Sequence, residues 1–282
     1  MQQRNFKQVD VFTATPYLGN PLAVVLDGSG LADAEMQHFA HWTNLSETTF
    51  LLPPENDSAD YRVRIFAPDA ELKFAGHPTL GSCHAWLEAG GKPRGRDFIV
   101  QECQAGLVKI RRNGKRLAFA APPLQRSAPS PAVLAQVATA LGLKANQVIA
   151  AQMLDNGTAW LGFLIEDAQA LLNISPDHFE LKRLGFKVGV AAIRGDANAA
   201  GPHLEVRGFA ASVGIAEDPV TGSLNASLAQ WLIGEGHLPE RYVAAQGVCL
   251  GRAGHVHIER DAEGQVWVGG ESVTCVAGSV RL

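Results

Sequence analysis

Strand-like patterning dominates the chain, and helical spacing interrupts it at a few places. Residues 6–13 alternate, with Val9, Val11 and Thr13 on one face and Asp10 and Phe12 on the other. Gly19-Asn20 turns the chain into a short apolar strand over 21–26. Residues 31–44 read as a helix, with Met36, Phe39 and Ala40 at helical spacing. Residues 46–52 and 61–66 are rich in β-branched and aromatic side chains and read as strands. A helix is predicted from Pro78 to Glu88, then strands near 98–103, 107–112 and 116–120.

The pattern then changes. Residues 121–131 hold four prolines, few large apolar residues and no periodicity, which reads as a linker. Ser130-Pro131 supplies an N-cap and first-turn proline for a helix that carries Val133, Leu134, Val137 and Leu141 on one face and ends at Gly142. Asn156-Gly157 punctuates a hairpin of 148–154 against 158–165. A helix is expected over 176–184, strands near 189–193 and 203–209, and a second long helix over 219–235. The last strands fall near 256–259, 266–269 and 272–281. The domain reading is a lobe over 1–120, a linker over 121–131 and a lobe over 132–282, whose last strand can return to the first lobe. Strands in runs with few helices make the fold class α+β rather than an alternating βαβ chain.

Bulk properties narrow the function. The 282 residues are 46% hydrophobic and 18% charged, as in a folded globular protein. A formal net charge of −4 argues against nucleic acid as the main partner. No apolar run is long enough to span a membrane and the polar start shows no secretory signal, so the expected place is the cytoplasm. Cys83, Cys103, Cys249 and Cys275 show no Cys-x-x-Cys spacing and read as reduced thiols. Nucleotide-binding glycine motifs are absent, so no nucleotide cofactor is supported. His255-x-His257 has no third ligand at a diagnostic spacing, and Ser46 stands in no Gly-x-Ser-x-Gly elbow.

One internal repeat carries chemistry. His77-Pro78-Thr79-Leu80-Gly81-Ser82 aligns without gaps on Asp218-Pro219-Val220-Thr221-Gly222-Ser223, an offset of 141 (218 − 77). That period suggests two similar lobes rather than a solenoid. Each copy places an ionisable residue before a proline that can open a helix. Two helix starts facing one cleft would then hold an anionic substrate between His77 and Asp218. Glu47 lies in a segment that otherwise favours burial, which would disfavour its charged form and suit a group that gives and takes a proton. The plainer alternatives are an exposed strand glutamate for Glu47, a packed or capping histidine for His77 and an N-cap for Asp218. The repeat weighs toward chemistry, because capping alone does not require so long a match.

At these residues the chain strongly resembles the PhzF-like family of phenazine-biosynthesis isomerase relatives. The matching stretches include 9–13, 19–25, Asn44-Leu45-Ser46-Glu47-Thr48, 64–68, Glu71 to Pro78, Glu217 to Ser223, Gln246-Gly247 and Gly251-Arg252. They run in order over nearly the whole chain. One departure is Ala67, which stands where the family often has Thr. The resemblance implies the diaminopimelate-epimerase fold, two pseudo-symmetric lobes, each a curled, mostly antiparallel sheet around a central helix. It implies Glu47 as the acid/base, with His77 and Asp218 catalytic and Ser46, Gly76, Gly222 and Ser223 binding substrate. It also implies no metal and no cofactor, a small anionic metabolite as partner, and a homodimer as the expected assembly.

The expected function is therefore a cofactor-independent isomerase of a small carboxylate-bearing metabolite, similar to trans-2,3-dihydro-3-hydroxyanthranilate isomerase. Two rivals stay open at this point. One is a racemase or epimerase of a small amino or hydroxy acid, which needs a base on each face of one carbon. The other is a ligand-binding or interaction protein that keeps the fold without turnover.

Overall fold

The computed structural model describes residues 1–95, 97–194 and 201–282. They group into two compact units, residues 1–120 with 269–282, and residues 121–268.

The first unit opens with β1 (Gln3–Val11) and β2 (Asn20–Val25), an antiparallel pair. The turn between them is built by Asp10, whose buried Oδ2 accepts the Gly19 N–H at 3.0 Å. A Cβ on Gly19 would sit 2.2 Å from the Val11 carbonyl oxygen, so only glycine fits. Helix α1 (Asp33–Thr43) buries Met36, Phe39 and Ala40, the three residues its spacing marks. β3 (Thr48–Leu52), β4 (Tyr61–Phe66) and the short β5 (Glu71–Leu72) follow. Then come α2 (Gly76–Glu88), β6 (Ile99–Cys103), β7 (Gly106–Asn113) and β8 (Arg116–Ala120).

The pairing runs β1–β2 antiparallel, β2–β3 parallel, β3–β4 antiparallel, β4–β6 parallel and β6–β7 antiparallel, with β5 antiparallel on β4. Helix α2 touches β1, β2, β3 and β8, so the sheet curls around it. Its sequence agrees: residues 76–83 and Ala85 are buried, a helix apolar or small nearly all round.

The second unit repeats this order. β9 (Gln125–Ser127), α3 (Pro131–Leu141), β10 (Val148–Asp155), β11 (Ala159–Ile165), α4 (Ala168–Leu172), α5 (His178–Leu184), β12 (Val188–Ile193) and β13 (Leu204–Ala210) come first. β14 (Ile215–Asp218), α6 (Gly222–Gly234), β15 (Arg241–Gln246), β16 (Gly254–Arg260) and β17 (Val266–Gly270) complete it. Pairing is β10–β11 antiparallel, β11–β12 parallel, β12–β13 antiparallel, β13–β15 parallel and β15–β16 antiparallel, with β14 antiparallel on β13. In each unit a short side strand thus leads into the central helix. α6 buries Leu224 through Ala229 and Trp231 through Ile233. The last strand, β18 (Ser272–Arg281), pairs antiparallel along β1 and belongs to the first unit.

Several sequence expectations need correction. The proline-rich 121–131 segment is not free chain: β9 lies within it and pairs with β10, and the Ala121 N–H donates to the Val266 carbonyl at 2.8 Å. The last strand β18, which the sequence pattern allows to return to the first lobe, finds its hydrogen-bond partner in β1 and groups with the first unit. Helix α4 and strands β5 and β14 are additional elements, too short for their periodicity to register, and β15 is a further strand absent from the predicted elements. The Ser130-Pro131 helix stands as read. Ser130 accepts the Val133 N–H and Gly142 closes the helix at φ 72. Among the described residues no helix is long and apolar enough to cross a membrane.

Candidate active site

In the first unit the turn from α1 to β3 positions Ser46 and Glu47. Asn44 ends α1 in the left-handed region at φ 54, a conformation asparagine tolerates. The hydroxyls of Thr43 and Thr48 meet at 2.8 Å and tie the two sides of the turn together. β3 begins only at Thr48, so Glu47 precedes the strand and is not an exposed strand glutamate. Its side chain is 17% exposed, and the carboxyl oxygen Oε2 is buried.

His77 comes from α2, where it is the second residue. The helix starts two residues before the expected Pro78, and Pro78 occupies the third position, where its missing N–H costs nothing. His77 is buried, and its Nδ1 lies 3.4 Å from Glu47 Oε2. This is a close approach, longer than a well-formed hydrogen bond. Burial pushes the His77 imidazole down from 6.5 to about 3, against an opposing hydrogen bond with the Pro21 backbone. The positive end of α2 also disfavours an imidazolium there. The contact at neutral pH is therefore a carboxyl group against a neutral ring and not an ion pair. Gly76, the first helical residue, has no side-chain cap before it, since Ala75 is the N-cap.

In the second unit α6 starts at Gly222, with Thr221 as N-cap, and not at Pro219. Asp218 ends β14 and does not cap the helix. Its Oδ2 instead accepts the Thr221 hydroxyl at 2.6 Å. The serine after Gly222 is held on two sides: Trp160 Nε1 donates to Ser223 Oγ at 3.1 Å, and Asn156 Nδ2 donates to its carbonyl at 3.0 Å. The loop from Asp218 to Thr221 is seated closely. A Cβ on Gly208 of β13 would lie 2.9 Å from Thr221 Oγ1, and one on Gly247 would lie 2.6 Å from the Pro219 carbonyl oxygen.

The repeat register changes accordingly. Helix start to helix start the offset is 146 (222 − 76), not 141. By position in the helix His77 matches Ser223, and Asp218 has its counterpart near the end of β5. Ser82 is no match for Ser223 either, for it is buried inside α2 and donates to Thr49 Oγ1 at 2.9 Å. The first unit thus brings Ser46, Glu47, Gly76 and His77 together around one turn and one helix start. The second brings Asp218, Gly222 and Ser223 together around another. Gln246, Trp160 and Asn156 are functional-site neighbours to which residue patterning gave no site role, and neither did it to Thr221, although Thr221 lies in the repeat and both Thr221 and Gln246 lie in stretches shared with the resembling family.

Residues 9–278 match the family described as phenazine biosynthesis-like protein, PhzC-PhzF. Antisense-enhancing sequence 1 of Schizosaccharomyces pombe is 35% identical over 292 aligned positions, covering 99% of each chain. Trans-2,3-dihydro-3-hydroxyanthranilate isomerase of Pseudomonas aeruginosa is 33% identical, over 91% of this chain and 90% of that one. The crystal structure of the Bacillus anthracis phenazine biosynthesis protein of the PhzF family has a TM-score of 0.86 over 100% of both chains at 23% identity, a shared fold.

Proposed function

The chain belongs to the PhzC-PhzF, phenazine biosynthesis-like family, and from that premise we propose that it is a cofactor-independent isomerase moving a proton on a small carboxylate-bearing metabolite. The observation that supports this best is the approach of Glu47 to a buried, neutral His77 at the start of a helix. In this reading Glu47 takes a proton from one carbon and returns it to another. A neutral imidazole adds no positive charge that would favour the anionic form of the neighbouring carboxyl group.

His77 in the first unit and Asp218 in the second each supply a group suited to bind and polarise an amino or hydroxyl group of a substrate. Ser46 and Ser223 add hydroxyl contacts. The starts of α2 and α6, at Gly76 and Gly222, carry no side-chain cap and present backbone N–H groups suited to a carboxylate. The Pseudomonas aeruginosa relative is named for an acid that bears a carboxylate and a hydroxyl group. We extend that substrate class, a small cyclic hydroxy or amino acid, to this chain.

The test is a panel of such acids, trans-2,3-dihydro-3-hydroxyanthranilate among them, incubated with the enzyme in deuterated water. Isomerisation places deuterium on a carbon other than the one that lost its proton. Exchange at a single carbon with loss of optical activity means an epimerase. Thermal stabilisation without exchange means a binding protein.

A further inference from the structure

Three backbone groups around Asp218 can play only one hydrogen-bonding part each. The Thr221 N–H is a donor, and it meets Gln246 Oε1 at 3.0 Å. The Asp218 carbonyl is an acceptor, and it meets Gln246 Nε2 at 3.0 Å. The Thr221 carbonyl is an acceptor, and it meets Asn225 Nδ2 at 2.9 Å. These fix which end of each amide is oxygen and which is nitrogen. Asn225 Nδ2 then also donates to Gln246 Oε1 at 2.9 Å, so the oxygen receives two donors.

The consequence passes outward. Gln246 Nε2 donates to Thr221 Oγ1 at 2.9 Å, which makes the hydroxyl an acceptor on that side. The single hydroxyl proton of Thr221 must go elsewhere, and Asp218 Oδ2 stands 2.6 Å away. That length is in the range of a hydroxyl donating to a carboxylate. Gln246, Asn225 and Thr221 are all buried, so water does not scramble the order. A hydrogen bond donated to the charged form of an acid favours that form.

We propose that Gln246 is a positioning residue that, through Thr221, fixes Asp218 as an ionised hydrogen-bond acceptor. This rests on the isomerase reading for its purpose: Asp218 then meets a donor group of the substrate, an ammonium or a hydroxyl, and does not itself deliver a proton. Within this unit the charged and titratable groups on the elements around the loop are Glu217 beside Asp218, Glu205 and Arg207 on β13, Arg241 on β15, Arg252 in the turn after β15, and His255, His257, Glu259 and Arg260 on β16. Helix α6 carries none. Glu217 and Arg207 pair with each other, with their closest oxygen and nitrogen 2.8 Å apart.

The test is a carbon NMR titration of the full chain labelled at aspartate carboxyl carbons, with the Asp218 signal assigned from its loss in Asp218→Asn. It reads no turnover, so its outcome is independent of whether the protein is an isomerase. Thr221→Val removes the donor and is expected to raise the Asp218 midpoint by about one pH unit, while Thr221→Ser leaves it near the wild-type position. Gln246→Glu keeps the side-chain shape but turns the donor into an acceptor that competes for the Thr221 proton, and is expected to raise the midpoint as well. A midpoint unmoved in both Thr221→Val and Gln246→Glu overturns the proposal. A neutron structure of the unaltered chain needs no variant: a Thr221 deuteron aimed at Asp218 supports the assignment, and one aimed at Gln246 overturns it.

Discussion

His77 Nδ1 lies 3.4 Å from Glu47 Oε2, and the imidazole in that contact is uncharged at neutral pH. The neutrality has a thermodynamic signature. His77 titrates near 6.5 in the unfolded chain and at about 3 in the folded one. Between those values the unfolded chain takes up a proton that the folded chain refuses, so stability falls as pH drops through the window. Above the unfolded value the contribution is fully present. In His77→Gln the titration is gone. The stability gap between wild type and this variant is expected to narrow from pH 7 to pH 4.5, by about 1–3 kcal/mol in urea unfolding. A gap that stays constant over this range means His77 is not held neutral.

Arg207 and Glu217 form a nearly fully buried pair on β13 and β14. Two parallel bonds of 2.9 and 2.8 Å join them, and Arg207 Nη1 also donates to the Leu171 and Ile174 carbonyls. Removing one partner strands the other charge. Arg207→Met is expected to cost about 3–5 kcal/mol in urea unfolding, and the double variant Arg207→Met with Glu217→Leu less than the sum of the single changes. Strict additivity would show that the two side chains do not act as a pair. The pair matters for the site because Glu217 directly precedes Asp218 in β14.

Proton transfer by a carboxyl side chain needs no Lewis acid. Among the described residues no group of three or more His, Cys, Asp or Glu side chains is placed to hold a metal ion. Turnover is accordingly expected to survive dialysis against a chelator. Loss of activity that one particular metal restores would mean the chemistry has been assigned to the wrong group.

Much of this was legible in local sequence, and the failures share a cause. The β1–β2 turn, the Ser130 to Gly142 helix and the Asn156-Gly157 hairpin rest on residues within a few positions of one another, and each formed where its pattern lies. The candidate residues Ser46 and Glu47 share one turn, whereas His77, at the start of α2, reaches Glu47 only through the fold. Proline was a poorer guide. It is tolerated throughout the first turn, so Pro78 did not mark where α2 begins. At Pro219 the helix waits until Gly222, because Asp218 turns to the Thr221 hydroxyl and Gln246, in a strand beyond α6, takes the Thr221 N–H. A contact between residues 25 positions apart leaves no mark on periodicity. The displaced repeat register follows from both helix starts, α2 beginning two residues before Pro78 and α6 three residues after Pro219.

Solvent deuterium exchange with the Glu47→Gln variant tests the proton-shuttle role most directly. Glutamine keeps the shape and hydrogen-bonding reach of Glu47 but cannot carry a proton. With a substrate that the wild-type enzyme turns over in deuterated water, deuterium incorporation by Glu47→Gln is expected to fall by at least ~10²-fold, with ligand binding largely kept. Incorporation at a near-normal rate in a folded Glu47→Gln protein would contradict the assignment of Glu47 as the acid/base.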